Sequence, residues 1–97
     1  IAGAKIASGE IRALLATGTL LDYRWAAYGM ADGLARLRYG CEEWTLAEWR
    51  EKNEALAARH VPAAVPQYVA ALAALFDFVE RVAAHAAREE RDRCEKA

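Results

Sequence analysis

The sequence predicts an all-α fold, a small antiparallel helical bundle of three long helices plus one short N-terminal helix. Three observations carry that expectation. About a quarter of the chain is alanine, the residue of highest helix propensity. β-branched residues are scattered and no long stretch alternates apolar with polar, so strand signals are weak. Four apolar-periodic stretches are separated by cap and breaker residues, which places helices at about 9–16, 20–39, 46–59 and 66–93 of a single helical domain over residues 1–97.

The first helix opens after Ser8, carries Ile11, Leu14 and Leu15, and stops at Thr17-Gly18. Thr19 and Asp22 head the second, and Gly40 closes it. At about 100° per residue this second helix is apolar on two sides. Tyr23, Ala27, Met30, Leu34 and Leu37 form one stripe, which suits the core, while Leu21, Trp25, Tyr28 and Tyr39 gather across the axis. Gly29 and Gly33 each cost about 1 kcal/mol inside a helix, so together they ask for close packing of a neighbouring backbone.

The third helix starts at a capping box, Thr45 to Glu48, with Trp44 just ahead of it. Asn53 interrupts its seam of Leu46, Trp49, Leu56 and Ala57, and is expected to fix packing register through one buried hydrogen bond. The helix ends near His60, before Val61-Pro62, where the imidazole is placed to cap free carbonyls. The last helix opens around Pro66 and buries Val69, Leu72, Leu75, Phe76, Val79 and Val82. Beyond Ala87 it is polar all round, supported by pairs such as Arg88 with Asp92. The run 61–79 holds one charge, Asp77, but also two prolines, and charged residues follow at once; a buried helix is expected there, and no membrane span.

A net charge of -1 argues against binding nucleic acid or anionic lipid by bulk electrostatics. Cys41 and Cys94 form no C-x-x-C, and no signal peptide is evident, which together suggest a reducing, cytoplasmic setting with free thiols. His60, His85, Cys41 and Cys94 are metal-ligating types, yet none are spaced as a zinc finger or ribbon, so no metal and no cofactor are expected. Nucleophile-elbow, phosphate-loop and paired-carboxylate patterns are missing as well, so the chain does not read as an enzyme and no catalytic residue is assigned. The segment from Glu54 to Val69 resembles two helices of a helix-turn-helix. It lacks the turn glycine after His60, and only Gln67 would reach a base edge.

What remains is the outer stripe of the second helix. Leu21, Trp25, Tyr28 and Tyr39, beside Arg36, have the aromatic-plus-arginine composition enriched at binding hot spots. The expected function is therefore a protein-protein interaction module (adaptor, assembly chaperone, small subunit or inhibitor) that presents an aromatic helix face to another protein or to a second copy in a homodimer. The alternative is a nucleic-acid-binding regulator using an Arg24, Arg36 and Arg38 surface.

Overall fold

A computed structural model describes the backbone at residues 5–6, 9–30 and 33–96 and the side chains at 13–30 and 33–92. Strands β1 (Lys5–Ile6), β2 (Gly9–Leu20), β3 (Tyr23–Met30), β4 (Ala35–Tyr39) and β5 (Glu42–Thr45) form an antiparallel meander whose spatial order follows the chain. β1 is only two residues long, so β2 to β5 make up the sheet proper. Helix α1 (Leu46–His60), a 3₁₀ turn (Pro62–Ala64) and helix α2 (Val65–Lys96) follow. The fold is α+β. The all-α bundle of three long helices plus a short one is therefore wrong, and so is any description of the chain as a helical bundle.

The error lies wholly in the N-terminal half, where the helices expected at 9–16 and 20–39 are strands β2, β3 and β4. Alanine permits helix but does not impose it, and here cross-strand packing overrides propensity. β4 reads Ala-Arg-Leu-Arg-Tyr, a period of two that buries Leu37 and Tyr39 and leaves Arg38 exposed. β2 hides the same period, because register shifts between Ile11/Ala13 and Leu14/Ala16 break its alternation. The glycine spacing also has another cause. Gly33 sits in the β3–β4 loop at φ +86°, a conformation that side chains avoid. Neither helical stripe survives: Ala27, Met30 and Leu37 are buried while Leu34 and Tyr23 are exposed. Ser8, the expected first cap, lies outside the described residues.

The C-terminal half follows its sequence signals closely. The Thr45 hydroxyl accepts from the Glu48 amide at 3.2 Å and the Glu48 carboxylate accepts from the Thr45 amide at 3.1 Å, which completes the capping box at α1. Asn53 is buried and donates to the Val69 carbonyl at 3.1 Å, tying α1 to α2. The Arg50 guanidinium reaches Asp77 and Glu80 at 3.1 and 2.8 Å across the same helix pair. These pairs are exposed and contribute little to stability.

Both helices pack on one face of the sheet. Trp25, Ala27, Leu37 and Tyr39 from the strands meet Trp49 and Ala57 of α1 and Tyr68, Leu72, Leu75, Phe76 and Val79 of α2. The Trp49 indole N–H is buried and donates to the Leu37 carbonyl at 2.7 Å, pinning α1 to the middle of the sheet. The span 62–92 is long and apolar enough to cross a membrane by length and composition; 28% of its most apolar window is buried inside the fold, where Leu72, Leu75, Phe76 and Val79 meet Leu37 and Trp49. At about 1.5 Å per residue α2 is roughly 48 Å long, against about 26 Å for the eight-residue strand β3. Its C-terminal turns therefore overhang the sheet, and residues 87–92 are exposed.

Candidate functional site

Because successive side chains on a strand point to opposite faces, the register of the sheet fixes what its second face presents. One row across the four strands is Leu14, Tyr28, Arg36 and Thr45. The next is Thr17, Ala26, Arg38 and Glu43, and a third pairs Thr19 with Arg24. α1 and α2 lie on the other side. Leu14, Thr17, Thr19, Arg24 and Arg38 are exposed, and Ala26, Tyr28 and Arg36 are half-buried. The result is a flat surface with an aliphatic-aromatic pair, Leu14 and Tyr28, bordered by arginines on β3 and β4.

The five residues expected on one helix face are divided by this arrangement. Tyr28 and Arg36 sit opposite each other on the open face. Trp25 and Tyr39 are also opposite each other, but on the covered face, and both are buried. Leu21 lies in the two-residue β2–β3 turn, 49% exposed, with φ +54°. Arg24, Arg36 and Arg38, scattered in the sequence, share the open face.

A second group of chemistry-bearing residues collects at the end of the sheet that carries this turn. Tyr23, Tyr39 and Tyr68 stack edge to face, with ring centroids 5.4 Å (Tyr23–Tyr39) and 6.2 Å (Tyr23–Tyr68) apart. The Tyr39 hydroxyl donates to the Leu20 carbonyl at 2.8 Å, and the Tyr68 hydroxyl donates to Asp22 at 3.1 Å. Burial, with neighbouring Tyr68, Tyr23 and Asp22 adding to it, pushes the Tyr39 phenol up to about 12. Desolvation and the Asp22 bond also raise Tyr68. These rings, with Trp49, Leu56 and Leu72, line a cavity of about 50 Å³.

Cys41, Glu42 and His60 stand at the mouth of that cavity, their ligating atoms all within 4.8 Å of one another. The Glu42 carboxylate meets His60 Nε2 at 2.9 Å and accepts the Trp44 indole N–H on its other oxygen at 2.9 Å. The bond to His60 comes first, and that from Trp44 supports it, in holding Glu42 below the usual carboxylate range. His60 thus turns toward the β4–β5 hairpin instead of its own helix end, where the Val61 amide bonds to the Ala57 carbonyl. Sequence spacing missed this group because eighteen residues separate Glu42 from His60. The available signal was Gly40-Cys41, a two-residue hairpin turn that sets Glu42 beside the end of the next element.

Among the described residues the fold is a small α+β module whose helices cover one face of the sheet and leave Leu14, Thr17, Thr19, Arg24 and Arg38 exposed on the other. No protein-family model, no curated protein and no solved structure matches the chain.

Proposed function

We propose that the chain is a protein-protein interaction module that docks an acidic protein partner on the open face of its sheet. The carrying observation is the cross-strand arrangement of Leu14, Tyr28 and Arg36 in one row, with exposed Arg38 in the next row and exposed Arg24 in the one after. Tyrosine and arginine are the residue types that most often anchor interfaces, and guanidinium forks suit carboxylates. With strands about 4.8 Å apart and β3 about 26 Å long, the flat area is on the order of 500 Å². That is below the roughly 800 Å² per partner of a stable complex, so the docking is transient. Three arginines stand against one carboxylate, Glu43, across these rows, so stacking two copies face to face joins surfaces of like net charge, which favours a different, acidic partner over a homodimer through this face.

A photo-crosslinking amino acid at Thr19, within the face, tests the reading in cells that make the protein. The expected result is one dominant protein adduct that disappears in the Arg24→Glu/Arg38→Glu variant, while that variant keeps the wild-type unfolding midpoint. An adduct indifferent to charge reversal removes the proposal. Retention of single-stranded oligonucleotides at about 50 mM salt, with a steep salt slope lost in the same variant, would transfer the face to nucleic acid.

A further inference from the structure

We infer that Cys41, Glu42 and His60 form a binding site for a thiophilic divalent transition-metal ion of the zinc type. Each residue offers one ligand atom, a thiolate sulfur, a carboxylate oxygen and an imidazole nitrogen, and these atoms lie within 4.8 Å of one another. Zinc binds such atoms at about 2.3 Å for sulfur and about 2.0–2.2 Å for nitrogen and oxygen, so ligands around it stand roughly 3.3–3.8 Å apart. The 2.9 Å between Glu42 and His60 and the outer limit of 4.8 Å bracket that spacing. A thiolate beside an imidazole selects zinc-like ions over magnesium or calcium, which prefer oxygen alone.

The supporting shell is in place. The Trp44 indole N–H holds one Glu42 oxygen at 2.9 Å and leaves the other directed at His60. Outer contacts of this kind orient ligands and account for about 10–100-fold in metal affinity. The hairpin tip is also fixed: Gly40 adopts φ +60°, and its amide donates to the Arg24 carbonyl at 3.0 Å. Cys41, the second residue of this turn, is an exposed free thiol. Three protein ligands leave one tetrahedral position to solvent. The ion cross-links the β4–β5 hairpin to the last turn of α1, and its retention requires Cys41 in the reduced form. The site is independent of the open sheet face, and its failure would leave the docking proposal untouched.

Cobalt(II) is the probe. Reduced, chelator-treated protein carrying Cys94→Ser takes up one Co²⁺ per chain, with a thiolate-to-cobalt charge-transfer band that Zn²⁺ abolishes by displacement. Cys41→Ser removes the band and weakens uptake at least tenfold, His60→Ala weakens it at least tenfold, and Trp44→Phe by about 10–100-fold. Zn²⁺ raises the melting midpoint of the parent but not of the Cys41→Ser variant. Cys41 is exposed, so that variant folds and the comparison stands. Failure to take up one ion per chain overturns the inference, as does a charge-transfer band that survives Cys41→Ser.

Discussion

The two faces of the sheet are built from alternate residues of the same strands, yet the helices cover one of them and leave arginines exposed on the other. Along β3, Trp25 and Ala27 point at the helices, while Arg24, Ala26 and Tyr28 point away. The covered face gathers Trp25 with Tyr39 and Ala27 with Leu37 across the β3–β4 register, and all four are buried. The open face gathers Tyr28 with Arg36 and Ala26 with Arg38 across that same register. Composition alone does not separate the faces, because each has an aromatic beside a large partner. Phase separates them: an aromatic one residue further along a strand changes from part of the core to part of the opposite face.

The largest expected effect follows from that phase. Trp25→Ala removes a buried indole that packs edge-on to Phe78 at 6.2 Å, and should cost about 3–5 kcal/mol in urea unfolding. Tyr28→Ala, three positions on, should stay within about 1 kcal/mol and act on partner affinity instead. Equal losses at the two positions would break the distinction between the faces. The covered face is also closely fitted at β2. A Cβ on Gly18 would stand 3.0 Å from the Trp25 ring, so Gly18→Ala should cost about 1–3 kcal/mol. A Cβ on Gly29 meets the Leu15 side chain at 3.7 Å and the Ala13 carbonyl oxygen at 3.9 Å, ordinary contact distances, so Gly29→Ala should be tolerated.

The same contrast accounts for what the sequence reveals and what it conceals. α1 was legible because its start is a local device: Thr45 and Glu48 are three residues apart and satisfy one another. α2 was legible because one long apolar arc, from Tyr68 to Val79, meets a single core. The strands were harder, since their partners are set by register and not by neighbours in sequence. β4 alternates openly from Ala35 to Tyr39, but five residues are too short to outweigh the surrounding alanine. In β2 the two register shifts erase the alternation altogether. Of the expected docking residues, Tyr28 and Arg36 lie on the open face because helix and strand phases happen to coincide there. Trp25 and Tyr39 do not, and the Cys41, Glu42 and His60 group depends on a contact between β5 and α1 that periodicity cannot report.

Tyr39 sharpens the comparison through pH. Its phenol is raised from 10.0 to about 12 in the folded protein, because burial disfavours the phenolate. A raised folded value means stability is fully present below pH 10 and is lost as pH climbs toward about 12. Tyr39→Phe should remove much of that alkaline loss, leaving the share of Tyr68, which is raised as well. At neutral pH the same variant forfeits the bond to the Leu20 carbonyl and should cost about 1 kcal/mol.

The smallest effect concerns the two turns at one end of the sheet. Leu20 pairs with Tyr23 and Tyr39 with Glu42, so β2–β3 and β4–β5 are both closed by two-residue loops. In each, the first loop residue has positive φ, +54° at Leu21 and +60° at Gly40, and the second does not, which is the φ pattern of a type II′ turn. Glycine is the residue that position favours, and the β4–β5 turn has it. The β2–β3 turn carries leucine, whose left-handed conformation costs about 1–2 kcal/mol, while its side chain is half exposed and returns little burial. Leu21→Gly relieves that strain at an entropic cost of about 0.5–1 kcal/mol. The net expectation is a stabilisation of up to about 1 kcal/mol, read as a higher urea midpoint at unchanged m-value. Loss of stability would mean that the Leu21 side chain packs in solution against the neighbouring turn or α2, and that the turn belongs with the covered face. A gain would leave Leu21 as an exposed apolar residue held in a strained turn, the kind of feature that persists where a surface is used for binding.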